Sequence, residues 1–170
     1  MKNLSALVAK ARDKPLYRWI LGFALGRIVP FNQAHHFQVT QVMEEGMELR
    51  LPYRRSNRNH IGGLHACALA TLAELTTGVT LLAALGTKQY RLILQRLEME
   101  YHYQARQAVR ARFVADADWL TETIRTPLQT EPQVAVPCRI ELYDEEQNHI
   151  ATGIVHWQLK SWKEVKTKRS

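Results

Sequence analysis

The run from His65 to Ala84 constrains this chain more than any other stretch. It is built almost wholly of Ala, Leu, Thr and Val, with no alternation of apolar and polar positions. A helix spanning it would make about five and a half turns, too long for an ordinary strand, and Ala and Leu favour helix. A helix apolar on every side should be covered on every side. At 170 residues, 46% of them hydrophobic, the chain fits one domain with a sizeable core, and that core must wrap this helix.

The flanking residues supply the wrapping. Phe37, Val39 and Met43 alternate with Gln38 and Thr40; Glu44-Glu45-Gly46 then makes a turn. Met47, Leu49, Leu51 and Tyr53 alternate with Glu48 and Arg50, which completes a hairpin with one buried face. Beyond the apolar run come four more strands of period two. Their inward sets are Leu97, Met99, Tyr101 and Tyr103; Val109, Ala111, Phe113 and Ala115; Val134, Val136, Cys138, Ile140 and Leu142; and Val155, Trp157 and Leu159. Asp144 to Asn148 is the turn between the last two. The pattern predicts an α+β domain over residues 31–162, with a curved antiparallel sheet around one long central helix. Residues 1–30 read as a helical segment, with helices near Leu4 to Arg12 and Leu16 to Arg27. Asp13 and Pro15 supply a cap and a first-turn proline for the second, and Pro30 stops it.

Residues 163–170 form a basic tail. Net charge is +7, and much of it sits where Lys160, Lys163, Lys166, Lys168 and Arg169 oppose only Glu164. Such an end is ordinarily solvated. No helix-turn-helix and no interleaving of aromatic and basic residues accompanies it, so nucleic acid is not an expected partner. Leu16 to Val29 is apolar but interrupted by Arg18 and Arg27 and too short for a comfortable span. A packed helix is expected there, with a membrane-surface helix as the alternative. The two cysteines, Cys67 and Cys138, suggest neither a disulfide framework nor a metal site. No CxxC or HExxH pattern occurs. A reducing, cytoplasmic setting without metal or organic cofactor is the expectation.

Within the apolar run, Glu74 is the anomaly. It is the only acidic residue between Glu48 and Glu98, and Ala70, Thr71, Thr77 and Gly78, three and four residues away, offer it no base. Burying an unpaired carboxylate costs several kcal/mol or raises its pKa, which marks a candidate functional group unless a tertiary arginine satisfies it. Just upstream, Asn59-His60-Ile61-Gly62-Gly63-Leu64-His65 brings two glycines to the start of the helix. A helix N-terminus presents free N–H groups and a positive dipole end, suited to an oxyanion, and Ala66 or Cys67 is the natural donor. Glu74 lies eight residues beyond Ala66, about 12 Å along the axis. For both to act on one substrate, two copies of the helix must meet, so the spacing predicts a homodimer; pairing of dimers into a tetramer stays open.

The pattern Gly63-x-His65, with Glu74 nine residues after that histidine and Leu72-Ala73 before the acid, resembles the hot-dog fold acyl-thioesterases of the PaaI-like branch. The wording from Asn59 through Cys67-Ala68 to Glu74-Leu75 is closer still to an uncharacterised bacterial branch, the DUF4442-like proteins. The likeness covers Phe37 to Trp162 in architecture and leaves the N-terminal helices and tail outside. It implies a hot-dog fold and an acyl-CoA or acyl carrier protein substrate. It also implies roles. Glu74 would be nucleophile or general base, Ala66 N–H the oxyanion donor, Asn59 the holder of water or substrate, and His65 an orienter of the carbonyl. Ala66 and Cys67 stand where many members carry glycine. Cys67 would then hinder the acyl chain or fill a small apolar space.

Gly63 and Cys67 border the expected substrate path, and Arg54, Arg55 and Arg58 could meet CoA phosphates or an acidic carrier. Two other readings stay open. The domain could bind acyl groups or regulate without catalysis, or Cys67 could be a nucleophile with His65 or His60 as its base.

Overall fold

The computed structural model describes residues 4–86 and 89–164. Lys166, Lys168 and Arg169 of the basic tail lie outside them.

Two helices open the chain, α1 (Leu4–Asp13) and α2 (Pro15–Ile28), followed by the single turn α3 (Pro30–Gln33). Pro15 stands in the first turn of α2 as expected, but Asp13 is not its cap. Asp13 closes α1, and the cap position is Lys14, which makes no side-chain bond there. The inner face of α2 packs on the next strand. A Cβ at Gly22 would stand 3.3 Å from the Phe37 carbonyl oxygen, so glycine permits the close approach. Val8, Ala11, Leu21 and Leu25 join the same core as the sheet.

The sheet has six strands: β1 (Gln38–Val42), β2 (Gly46–Leu51), β3 (Tyr90–Tyr101), β4 (Val109–Val114), β5 (Gln133–Asp144) and β6 (His149–Ser161). Their order is β1-β2-β4-β5-β6-β3, and all neighbours are antiparallel. Between β2 and β3 runs α4 (Ala66–Leu85), which packs against β2 to β6. This is the helix that the apolar run predicts. It is long and apolar enough to cross a membrane, yet 67% of its most apolar window is buried, because the sheet curls around it. Its buried threonines stay satisfied: Thr76, Thr77 and Thr80 donate to carbonyls one turn back, those of Leu72, Ala73 and Thr76. Trp157 from β6 seats on Gly78, where a Cβ would fall 2.8 Å from its ring, and its indole N–H donates to Thr77 Oγ1 at 2.9 Å.

Three further expectations need correction, and one feature was not foreseen. Met43 lies beyond β1, because the register slips between Val39 and Gln41 and the extra residue brings Val42 inward instead. β3 begins at Tyr90, ends before Tyr103, and has no buried residue. It is an edge strand with no strand paired on its outer side among the described residues, and Ile93, Leu94 and Tyr101 are exposed. α4 is not covered on every side: exposed Ala66 and Cys67 continue into half-buried Ala70, Thr71 and Glu74, a stripe at helical spacing. Finally, a helical connection between β4 and β5 gives no sign in the apolar pattern. It comprises α5 (Ala117–Leu120), a π-helical turn (Thr121–Arg125) and α6 (Pro127–Thr130).

Candidate active site at the start of the central helix

The loop leading into α4 is fixed by its own polar groups. Asn57 is buried at 1% exposure. Its Nδ2 donates to the carbonyls of His35 and Pro52, and its Oδ1 accepts from His35 Nδ1. Its backbone carbonyl receives His65 N–H at 2.8 Å. Asn59 closes the next turn. Its N–H donates to Gly63 O, and its Oδ1 accepts from the N–H groups of Ile61 at 3.1 Å and Gly63 at 3.0 Å. Gly62 sits at φ +82°, a conformation glycine reaches without strain. Gly63 is pressed against Gln104, leaving 2.8 Å where a Cβ would go. The Tyr53 hydroxyl donates to Gly62 O, and Leu64 N–H donates to Ala105 O.

These bonds aim the chain into the helix at a fixed angle. His65 is the N-cap. Its Nδ1 accepts from Cys67 N–H at 3.1 Å, so the proton of a neutral ring lies on Nε2. Its carbonyl accepts from Ala68 and Leu69. With Cys67, Ala68 and Leu69 taken, the Ala66 N–H is left without a partner among the described residues, on an exposed residue. Helix position alone left Ala66 or Cys67 as the expected donor and the resemblance pointed to Ala66; of the two, it is the Cys67 N–H that the cap occupies. Tyr101 on β3 donates its hydroxyl to Ala66 O at 2.9 Å and steadies the turn from the other side. Burial, and then the nearby Cys67 thiol, raise the pKa of that phenol and keep it a donor.

Two turns further along the open stripe stands Glu74. Its carboxylate makes no hydrogen bond or ion pair among the described residues, and burial alone raises its pKa. No arginine pairs with it among the described residues, so nothing there makes it a purely structural group. One unbroken helix carries both Ala66 and Glu74, so the gap of about 12 Å between them stands.

The other expected residues divide. His65 and Cys67 flank Ala66, while Asn59 and Gly63 share the turn that precedes the helix. Asn59 has spent its carboxamide oxygen on that turn, and its Nδ2 makes no hydrogen bond among the described residues. Cys67 is exposed and fills no apolar space, whereas Cys138 is buried and its thiol is pushed up to about 12. Arg58 bridges to Leu64 beside the helix start and lies over the Tyr53 ring at 5.3 Å. Arg55 opens a short 3-10 turn, and Arg54 lines a groove under α2. The residues that sequence reasoning missed are the braces Tyr53, Asn57 and Tyr101. Tyr101 read as one of an inward strand set, and only its unpaired edge position hinted otherwise.

The family model of DUF4442, a domain of unknown function, matches residues 17–159. It begins within α2, so that helix belongs to the family pattern although the motif resemblance left it outside. Solved structures with the same fold include PA5026 of Pseudomonas aeruginosa, a protein of unknown function called a probable thioesterase. It has a TM-score of 0.74 and 24% identity, over 80% of this chain and 90% of that one. A variant of thioesterase PA1618 from the same organism gives 0.66 and 13%, over 82% and 91%. Thioesterase HI1161 of Haemophilus influenzae gives 0.63 and 12%, over 84% and 92%. No curated protein matches the sequence. These likenesses speak for the fold, and the family model speaks for the lineage: the chain has the hot-dog fold and belongs to the DUF4442 family.

Proposed function

We propose that the protein hydrolyses an acyl thioester, of CoA or of an acyl carrier protein, at sites shared between two subunits. The observation that carries this reading is the pairing of a free Ala66 N–H with an unpaired, half-buried Glu74 on one helix. The thioesterases among its structural relatives supply the reaction class.

In this reading the thioester oxygen lies at Ala66 N–H, at the positive end of α4. Glu74 of the facing subunit takes a proton from water, and the resulting hydroxide attacks the carbonyl carbon. The tetrahedral oxyanion collapses, the C–S bond breaks, and Glu74 returns its proton to the leaving thiolate. Acid and free thiol are the products, with no other reactant. A carboxylate whose pKa is raised is the better base for this. Direct attack by Glu74 to give a mixed anhydride, then hydrolysed, uses the same groups. In this reading a second subunit covers the open edge of β3 and the uncovered stripe of α4. Arg58 and Arg55 would then meet the phosphates of the substrate.

A panel of acyl-CoA and acyl carrier protein substrates, run with the wild type and Glu74→Gln, tests the reading. Turnover by the wild type and its loss in a folded Glu74→Gln protein are expected. Equal turnover by both would sink the mechanism. Thioesters that raise the melting temperature but are never cleaved would instead make this a binding module.

A further inference from the structure

The outer face of α2 is not explained by any of this chemistry. α2 is apolar on both sides, yet only one side is packed. Leu21 and Leu25 face the core, whereas Leu16, Trp19 and Phe23, on the opposite side, are 64%, 68% and 61% exposed. Trp19 and Phe23 stack at 6.0 Å, and Phe31 on the adjoining α3 is 67% exposed. Folding has left these large side chains in water, although each would gain from burial.

Beside this face lies a groove of about 570 Å³ between α2 and β1, with Trp19 and Phe23 on its wall. Its lining includes Arg18, Arg27 and Arg54, and no Asp or Glu. Arg18 donates to Thr40 O at 2.7 Å, and no carboxylate pairs with any of the three among the described residues. From Met1 to Pro30 the chain carries Lys2, Lys10, Arg12, Lys14, Arg18 and Arg27 against the single acid Asp13.

We propose that α2 and α3 form a docking face for an anionic membrane surface. Trp19, Phe23, Leu16 and Phe31 enter the interface of the bilayer, and the groove arginines take the phosphate groups of the lipids. An exposed aromatic-apolar helix face beside unneutralised arginines is the chemistry of an in-plane anchor. A second copy of this chain fits the face poorly. A two-fold contact sets a patch against itself, and here that brings arginine to arginine. The strand order also separates α2, which packs on β1, from the open edge of β3. The proposal is independent of thioester hydrolysis.

The test is sedimentation of the full-length protein with vesicles of phosphatidylcholine, with and without phosphatidylserine. The protein should sediment with the phosphatidylserine vesicles at low salt, and much less with phosphatidylcholine alone or at high salt. Replacing Trp19 and Phe23 together with Ser should weaken binding by at least about tenfold. Arg27→Gln should weaken it about fivefold. All three positions have side chains away from the core, and circular dichroism checks the fold of each variant. No sedimentation with phosphatidylserine vesicles at low salt would overturn the proposal. So would sedimentation that both variants retain, which would assign the binding to the basic C-terminal residues.

Discussion

If each chain holds half of two sites, two differently crippled chains should rescue each other. Ala66→Pro is the cleanest way to remove the oxyanion donor. Ala66 is the first residue of α4, where proline is favoured and its missing N–H breaks no intrahelical bond. The preceding His65 already has φ −69° and ψ 136°, a conformation that a following proline accepts. Loss of one oxyanion donor costs about a hundred- to a thousandfold in kcat. Glu74→Gln removes the base and should cost at least as much. In a dimer of mixed chains, one site pairs two defects. The other pairs the intact Ala66 of one chain with the intact Glu74 of the other. Random exchange makes half of the dimers mixed, each with one working site of two, so about a quarter of wild-type activity should return. The assay is acyl-CoA hydrolysis after the two variants are co-refolded in equal amounts, beside each variant refolded alone. Activity no higher than the average of the two inactive parents, with mixed dimers shown by mass spectrometry, would refute the shared site.

Further expectations bear on the same elements. Glu74→Gln should also stabilise the fold at alkaline pH. A carboxyl whose folded pKa is raised lends stability below its unfolded pKa and loses it as pH rises through the folded one, so the wild type falls behind the variant on that rise. A gain on the order of 1 kcal/mol, or about 2–4 °C in Tm, should be seen near pH 8 and vanish near pH 4 in thermal melts. The hydrolysis rate should likewise rise with pH as Glu74 ionises, read from kcat/KM against pH. Gly78→Ala gains about 1 kcal/mol of helix propensity. It also forces a methyl to within 2.8 Å of the Trp157 ring, a clash costing about 1–3 kcal/mol, so Tm should fall by a few degrees. Ile93→Lys with Leu94→Lys should charge the open edge of β3, give a monomer by light scattering, and abolish turnover.

The central helix and the inward sets of β2, β4, β5 and β6 were legible because burial on one or all sides writes a period into the sequence. Where burial is incomplete the period misleads. β3 alternates well from Leu97 to Tyr101, yet none of its residues is buried, since it stands at the edge of the sheet. α2 likewise reads as packed, because composition records that a face is apolar and not what it touches. The bulge in β1 shifts the inward position from Met43 to Val42 through one extra residue that no side-chain pattern marks. In the site, Glu74 stood out by chemistry alone. The choice of Ala66 over Cys67 as donor did not, because it depends on a bond from Cys67 N–H to the His65 ring. The same holds for Asn59, whose oxygen serves the loop.

The unequal fates of the two cysteines turn the unmodified protein into its own reporter. The Cys138 thiol is buried and scarcely ionises, while Cys67 lies open on the single chain, one residue past the proposed oxyanion donor. A thiol-directed reagent should therefore attach at Cys67 alone. Its rate of attachment against protein concentration would then read whether a facing subunit covers the start of the central helix.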